Sequence, residues 1–234
     1  MGEQTGIEWA DATINFWMGC RRVSPSCAHC YADREMSRYG RNFDAVTRTS
    51  DSTFYKALTW KEPKQIFTCS WSDFFIEEAD QWRDSAWNVI RKTPQHTWMI
   101  LTKRPERIEN HLPADNIWPA NAWLGVSVEN ARFYWRIEEI RKYLAIRFLS
   151  VEPLLGPMPD LPLEGIDWTI VGGESGAGFR PLNLDWVRQI RDRCVERGVP
   201  FFFKQKSAFF PKSLDRLLDG REWNEVPRGI RVNS

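Results

Sequence analysis

Seven short runs of β-branched, aliphatic and aromatic residues recur along this chain, and they constrain its fold more than any other feature. They cover residues 13–19, 65–70, 97–102, 122–128, 146–151, 167–172 and 200–204. Short apolar strands that alternate with helical patterns are typical of βα units, which assemble into a parallel sheet. Because the runs recur without a repeated sequence, we predict an α/β fold, a partial or complete (β/α) TIM-type barrel of about seven parallel strands. A doubly wound open sheet is the alternative.

Two of the intervening segments have clear helical periodicity. Residues 129–144 place apolar side chains on one stripe after an Asn130 cap, and residues 183–198 do the same before a helix-ending Gly198. The stripes are Phe133, Ile137, Ile140 and Leu144, and Leu184, Val187, Ile190 and Cys194. The stretch 41–65 has no clear period, and we predict that it is a long excursion over one end of the sheet.

Length and charge limit the class of protein. The chain has 234 residues and a net charge of +1. Its apolar runs are far shorter than the roughly 20 residues that a membrane span requires. The N-terminus lacks the basic start and apolar stretch of a secretory signal, so we expect a cytoplasmic protein with no membrane partner. We predict one barrel domain over residues 1–234, in which residues 206–234 form a short C-terminal extension.

Polar side chains collect directly after most of the predicted strands. In parallel α/β folds the carboxyl ends of the strands form one ligand-binding face, so we predict a single shared site there. Its candidate binding residues are Ser70, Ser72, Asp73, Thr102, Lys103, Ser127, Glu129, Gly172 and Gly173, and its candidate catalytic residues are Glu152 and Glu174.

Cys20, Cys27 and Cys30 lie close together, directly after the first predicted strand. Disulfides are disfavoured in the cytosol, so clustered thiols indicate metal ligation or redox chemistry. A [4Fe–4S] cluster that is bound by three thiolates leaves one iron open to another ligand, and three cysteines suit that arrangement. The alternative is a zinc site, for which Cys69 would supply a fourth ligand. We expect His29 to pack over the metal and not to bind it.

The cysteine loop and six further blocks resemble known proteins. The C-x6-C-x2-C loop resembles that of radical S-adenosylmethionine (radical SAM) enzymes, whose common spacing is C-x3-C-x2-C. A phage- and prophage-associated family of uncharacterised three-cysteine proteins, classed as radical SAM-like, is similar through seven blocks in order: "GIEWADATINFWMGCRRVSPSCAHCYA", "FTCSWSDFF", "ILTKRPERIE", "WLGVSVEN", "RFLSVEPLLGP", "VGGESGAGFRP" and "PFFFKQ". Phe16 stands where that family usually has proline, a change that affects the first strand and leaves the ligands intact.

The resemblance implies a radical SAM enzyme. Cys20, Cys27 and Cys30 would hold a [4Fe–4S] cluster, and its open iron would bind the amino and carboxylate groups of S-adenosylmethionine. An external electron donor would drive cleavage of the sulfonium, and the resulting 5′-deoxyadenosyl radical would abstract a hydrogen atom from the substrate.

The resemblance also implies roles for residues at the carboxyl ends of the strands. In the wider class a patch after the second strand binds the amino group of S-adenosylmethionine, and here it corresponds to Ser70, Ser72 and Asp73. A methionine carboxylate or a substrate phosphate would bind to Thr102, Lys103 and Arg104.

The substrate is the least constrained part of this interpretation. Basic residues occur near the predicted rim, namely Arg21, Arg22, Lys103, Arg104, Lys204 and Lys206, and phage association favours a nucleotide or a base within nucleic acid. A small metabolite or a peptide is the competing substrate. The sequence is also compatible with two other functions, a zinc-stabilised nucleic-acid-binding module and a barrel that binds a partner protein and catalyses no reaction.

Overall fold

The computed structural model describes residues 5–227, and its centre is one parallel sheet of seven strands. The strands are β1 (Ala12–Ile14), β2 (Gln65–Thr68), β3 (Thr97–Thr102), β4 (Ala122–Ser127), β5 (Arg147–Val151), β6 (Trp168–Gly172) and β7 (Phe201–Gln205). Each strand pairs in parallel with its neighbours in chain order. A doubly wound sheet reverses its order at a switch point, so this sequential order confirms the predicted partial barrel. Between the described residues, β1 and β7 form no ladder with each other, and the barrel is open there.

Helices and two small ribbons connect and flank these strands. The α-helices are α1 (Tyr31–Arg38), α2 (Asp51–Phe54), α3 (Asp80–Arg91), α4 (Trp135–Ile140) and α5 (Leu184–Arg197). Short 3-10 helices cover Pro25–His29, Lys56–Thr59, Glu77–Ala79, Pro105–Arg107, Glu109–His111, Ala131–Phe133 and Pro211–Ser213. The antiparallel ribbons pair Trp17–Met18 with Thr47–Arg48, and Leu217–Leu218 with Arg221–Glu222. Of the described helices, none is long and apolar enough to cross a membrane.

The first strand is shorter than its sequence predicts. The prediction of one strand over residues 13–19 was wrong beyond Ile14, because the chain leaves the sheet there and Trp17–Met18 joins a separate ribbon. The Thr49 backbone N–H donates to the Phe16 carbonyl at 3.0 Å, and the Thr49 hydroxyl donates to the Asn15 carbonyl at 2.9 Å. The predicted excursion over residues 41–65 therefore folds back onto the end of β1 and fixes the path of the chain into the cysteine loop.

The two helical segments differ in how well they follow their sequence patterns. In the first, Asn130 accepts from the Arg132 N–H as a cap, but the regular helix α4 is short. The prediction for Leu144 was wrong, since it lies beyond α4 and is 95% exposed. In the second, α5 spans the predicted range, with Asn183 as its cap and Gly198 in the left-handed conformation at its end.

The two faces of the sheet have separate cores. Side chains alternate across a strand, and one set packs against the helices, as Trp98, Leu124 and Phe203 do. The opposite set forms an aromatic layer on the inner face, which comprises Phe67, Met99, Trp123, Phe148, Trp168, Ile170 and Phe202 with Trp9 and Ala10. The Trp9 ring contacts Phe67 with centroids 4.8 Å apart and Trp168 with centroids 6.2 Å apart. Trp9 thus fills the middle of the open barrel.

The chain beyond β7 stays close to the sheet. Ala208 forms a bridge with Ser175 after β6, and Trp223 packs edge-on against Phe201. The Lys212 ammonium donates to the Gly6 carbonyl at 2.7 Å and so joins this segment to the N-terminal one. The single-domain prediction also includes residues 1–4 and 228–234, which lie outside the described residues, and it stays a prediction.

Candidate functional site

A cavity of about 990 Å³ lies at the carboxyl ends of the strands, beyond the aromatic layer. Every strand of the sheet or the loop that follows it contributes to its wall, as the parallel fold predicts. The predicted site residues that line it are Cys20, Cys27, Cys30, Ser70, Ser72, Asp73, Thr102, Lys103, Ser127, Glu152, Gly173 and Glu174. Glu129 and Gly172 do not line it. The structure therefore brings most of the predicted set to one place.

The cysteine loop begins at a glycine that no other residue could replace without strain. Gly19 has φ +95, and a Cβ there would lie 2.5 Å from the Ala45 carbonyl oxygen. The next residue, Cys20, donates its backbone N–H to the Phe43 carbonyl at 2.8 Å. Cys27 lies in the 3-10 helix Pro25–His29, and Cys30 directly precedes α1. The loop thus has a fixed path that presents three half-buried free thiols.

The three thiols lie in different electrostatic surroundings. Burial raises the pKa of Cys27, but the Lys103 charge, the backbone of Val23 and Ser24 and the Ser24 hydroxyl more than offset it, so the net pKa is lowered. Burial and the Asp73 charge raise the pKa of Cys20 to about 12, although Arg104 opposes them. Within residues 5–227, no three His, Cys, Asp or Glu side chains lie close enough together to hold a single metal ion.

Asp73 organises the loop that follows β3. One carboxylate oxygen accepts from the Thr102 hydroxyl at 2.7 Å and from the Phe75 N–H at 2.9 Å. The other accepts from the Lys103 N–H at 2.8 Å and pairs with Arg104 at 3.1 Å. Both oxygens therefore already have protein donors. Asp73 shapes the site through this loop, and its predicted contact with an amino group would require one of these donors to leave.

The two predicted serines after β2 tie that loop to the cysteine loop. The Ser72 hydroxyl donates to the Gly19 carbonyl at 2.5 Å, and the Ser70 carbonyl accepts from the Tyr31 hydroxyl at 2.7 Å. The Ser70 hydroxyl contacts Asn15, whose side-chain oxygen accepts from the Trp71 N–H at 2.9 Å. Neither Asn15 nor Tyr31 was among the predicted site residues. The sequence did contain one signal for Asn15, since it is a polar residue inside the first apolar run.

Glu152 lies after β5 and forms an ion pair with Lys204 of β7 at 2.9 Å. Gly172 makes room for this pair, since a Cβ on that residue would lie 2.5 Å from the Glu152 Oε1 atom. Gly172 was predicted as a cofactor-binding residue, and the structure places it behind Glu152 and not on the cavity wall. The pair leaves the Glu152 carboxylate beside a cation on the inner face of the sheet.

Glu174, after β6, joins its own loop to the cysteine loop. It accepts from the Arg180 N–H at 2.8 Å, from the Arg180 Nε at 3.0 Å and from a second guanidinium nitrogen, and it contacts His29 Nδ1 at 3.2 Å. The Arg180 guanidinium also donates to the Pro25 carbonyl at 3.1 Å. Burial raises the pKa of Glu174, but the Arg180 hydrogen bonds and charge, with His29, lower it below its ordinary value. Glu174 is therefore ionised at neutral pH and holds the cysteine loop in place.

Glu129 lies behind the cavity wall. It is fully buried and pairs with Arg136 at 3.0 Å, and Arg136 also donates to the Ser127 carbonyl at 2.9 Å. The second carboxylate oxygen of Glu129 has no hydrogen-bond partner within the described part of the chain. The geometry supports a role in fixing Ser127, which does line the cavity.

The two remaining cysteines lie in different places. Cys69 follows β2 with φ +57, is buried in the cavity wall, and has its thiol pKa raised to about 12 by burial. Cys194 lies on α5 within the core between helix and sheet. Cys69 is thus the cysteine through which the zinc alternative can be tested.

Comparison with known proteins gives a family and a fold. The family model described as "Protein of unknown function (DUF5131)" matches residues 4–227. No curated protein matches the chain. A solved structure of spore photoproduct lyase complexed with dinucleoside spore photoproduct is similar with a TM-score of 0.53 and 14% identity, over 79% of this chain and 61% of that one. A cysteine-to-serine mutant of the lyase gives a TM-score of 0.51 and 15% identity over the same shares. The chain thus spans about three-fifths of the lyase, and the likeness shows a shared fold.

Proposed function

The chain belongs to the family of proteins of unknown function whose model covers residues 4–227, and we propose that it is a radical SAM enzyme in which Cys20, Cys27 and Cys30 hold a [4Fe–4S] cluster. One observation carries this proposal: three free thiols line a single cavity at the carboxyl end of an open (β/α) barrel. The fold is shared with spore photoproduct lyase, which is itself a radical SAM enzyme.

The surroundings of the thiols suit such a cluster. Three thiolates bring three negative charges into a half-buried site, and a nearby cation makes a thiolate easier to form. Lys103 lowers the pKa of Cys27, and Arg104 lies beside Cys20. Thiolates are the usual ligands of iron–sulfur clusters, so the chemistry of the donor set fits the proposed group.

The chain's own residues would bind and shield the cofactor. A bound cluster and S-adenosylmethionine would supply an electron-driven 5′-deoxyadenosyl radical, with the electron coming from an external donor. The Lys103 ammonium donates to the Ser127 hydroxyl at 3.1 Å and pairs with no carboxylate in the described range, so it is available to bind a carboxylate. The aromatic layer closes the inner end of the cavity and excludes water from that side.

Metal analysis followed by a cleavage assay tests this function. After anaerobic purification we expect about four irons and four sulfides per chain. Reduction with dithionite in the presence of S-adenosylmethionine should then yield 5′-deoxyadenosine, measured by mass spectrometry. Cys27→Ala should abolish both signals, whereas Cys194→Ala, a matched control in the core, should retain them. One zinc without iron would support the zinc-stabilised module instead, and a full cluster without 5′-deoxyadenosine would refute the enzymatic proposal.

For the substrate we propose a nucleotide or a base within nucleic acid. An exposed aromatic pair lies just beyond β7, where Phe209 and Phe210 are 52% and 67% exposed with ring centroids 4.5 Å apart. Lys212 in the same segment lines the cavity. Aromatic faces beside cations are how proteins bind single-stranded nucleic acid. The structurally similar lyase was solved with a dinucleoside spore photoproduct. A cytoplasmic location stays a prediction from the sequence, and a role in a phage modification pathway stays one that rests on the family resemblance.

Binding of a fluorescent single-stranded oligonucleotide, measured by anisotropy, tests the substrate class. We expect the affinity to fall steeply as salt rises, because neutralised phosphates release counterions. The double variant Phe209→Ala/Phe210→Ala should bind more weakly. Leu144→Ala should not, because Leu144 is apolar and even more exposed but lies before β5, at the amino ends of the strands. Absence of binding at low salt, with 5′-deoxyadenosine formation unchanged by oligonucleotides, would favour a small metabolite or a peptide.

A further inference from the structure

Arg104 is buried against the first cysteine of the loop. Its side chain is 9% exposed, and its Nη1 atom lies 3.8 Å from Cys20 Sγ. Its Nη2 atom donates to the Arg21 carbonyl at 2.8 Å, on the residue that follows Cys20. The guanidinium therefore contacts both the thiol and the backbone beside it.

A network of buried groups fixes this guanidinium. Arg104 Nη1 pairs with Asp73 at 3.1 Å, and the Arg104 backbone N–H donates to the Thr102 hydroxyl at 2.9 Å. The Thr102 hydroxyl in turn donates to Asp73. Because a buried charge is costly without a partner, Asp73 is what permits a guanidinium here. An arginine has five N–H donors in a planar fork, so it can face the sulfur while its pairing with Asp73 persists.

We propose that Arg104 is a positioning residue that donates an N–H···S hydrogen bond to the Cys20 thiolate of the proposed cluster and raises the reduction potential of that cluster. Hydrogen bonds to ligand sulfurs and nearby charge are known determinants of iron–sulfur potentials. The reduced cluster has one more negative charge than the oxidised one, so a donor and a positive charge at Cys20 stabilise the reduced form more. This inference rests on the proposed function, since it needs a cluster at Cys20.

Potentiometric titration monitored by electron paramagnetic resonance tests the inference, with iron content measured on the same samples. Arg104→Gln should shift the midpoint potential to a more negative value while iron is retained. Arg104→Lys should give a smaller shift, because it keeps the charge and loses the planar fork. Arg107→Gln is the matched control, since Arg107 pairs with Asp80 at 2.8 Å and donates to the Phe75 carbonyl without contacting a cysteine. Its potential should equal that of the wild type.

The possible failures are distinguishable. An unchanged potential in iron-loaded Arg104→Gln would overturn the inference, and so would an equal shift in Arg107→Gln. If Arg104→Gln does not bind iron, the midpoint potential of Arg104→Lys tests the inference instead, and a value equal to that of the wild type would overturn it. Loss of iron from both Arg104 variants would show that the arginine only anchors the loop through the Arg21 carbonyl, which also contradicts potential tuning. A wild-type protein that binds no iron under anaerobic conditions would instead refute the proposed function.

Discussion

Replacing Arg180 with alanine should destabilise the protein, because the Glu174 carboxylate would stay buried without its main partner. The Glu174 side chain is 4% exposed and accepts two hydrogen bonds from the Arg180 guanidinium. A hydrogen bond to a charged group contributes about 1.5–3 kcal/mol. The Arg180 side chain is 35% exposed, so solvent screening reduces the total. We therefore expect a loss of about 1–3 kcal/mol in the free energy of unfolding at pH 7.

The loss should depend on pH with a definite sign. Burial raises the pKa of Glu174, but the Arg180 hydrogen bonds and charge, together with the His29 charge, lower it by more. The net folded pKa therefore lies below the ordinary value of 4.5. A carboxyl group with a depressed pKa contributes stability that is complete above its unfolded pKa and is lost as pH falls through the folded value. The difference between wild type and Arg180→Ala should therefore be full at pH 7 and shrink below about pH 4.5.

Urea denaturation followed by tryptophan fluorescence at pH 7 and pH 4 measures both effects. Arg188→Ala is the matched control, because Arg188 pairs with Asp185 at 2.6 Å and Asp219 at 2.9 Å on an exposed face of α5. Surface pairs of this kind contribute about 0–1 kcal/mol. If Arg180→Ala were as stable as Arg188→Ala at pH 7, or if its deficit persisted unchanged at pH 4, the assignment of a buried, ionised Glu174 would be wrong.

Three further predictions follow from the same packing. Gly125→Ala should lower the free energy of unfolding by about 1–3 kcal/mol through overpacking, because its Cβ would overlap the fully buried Phe148 ring, and an unchanged urea midpoint would contradict this. Trp9→Ala should cost about 3–5 kcal/mol by removing the ring in the middle of the aromatic layer, and a loss below about 1 kcal/mol would show that the layer repacks. Cys69→Ala should retain the iron content of the wild type, and a loss of iron as complete as in Cys27→Ala would refute the model in which Cys20, Cys27 and Cys30 are the only cysteine ligands.

The strands could be predicted from the sequence because each is a short apolar run whose pattern is local. Six of the seven runs became sheet strands over nearly the predicted residues. The first was shortened by Thr49, a contact from a segment without any periodic signal. The stripe that includes Leu144 failed for a similar reason, since helical spacing in sequence does not specify where the helix ends.

The site could be predicted to the level of its location and not of its contacts. Position after a parallel strand was enough to place Lys103, Glu152 and most other predicted residues on one cavity. The partner of each polar group depends on distant parts of the chain. Arg136 pairs with Glu129 behind the cavity wall, and Arg180 pairs with Glu174. Nothing in the sequence around these two arginines distinguishes them from the many arginines that are exposed.

The native contacts of Trp9 and its neighbours involve residues far along the chain, so they cannot all form early in synthesis. Its ring contacts Trp168 of β6, and the neighbouring Gly6 carbonyl accepts from Lys212, a partner 206 positions further along the chain. Contacts between distant positions form late because a long loop must close first. While the first strands and the cysteine loop emerge from the ribosome, the N-terminal tryptophan has no native partner from β6. The inner face of the barrel therefore stays open until β6 and the segment that carries Lys212 have been translated.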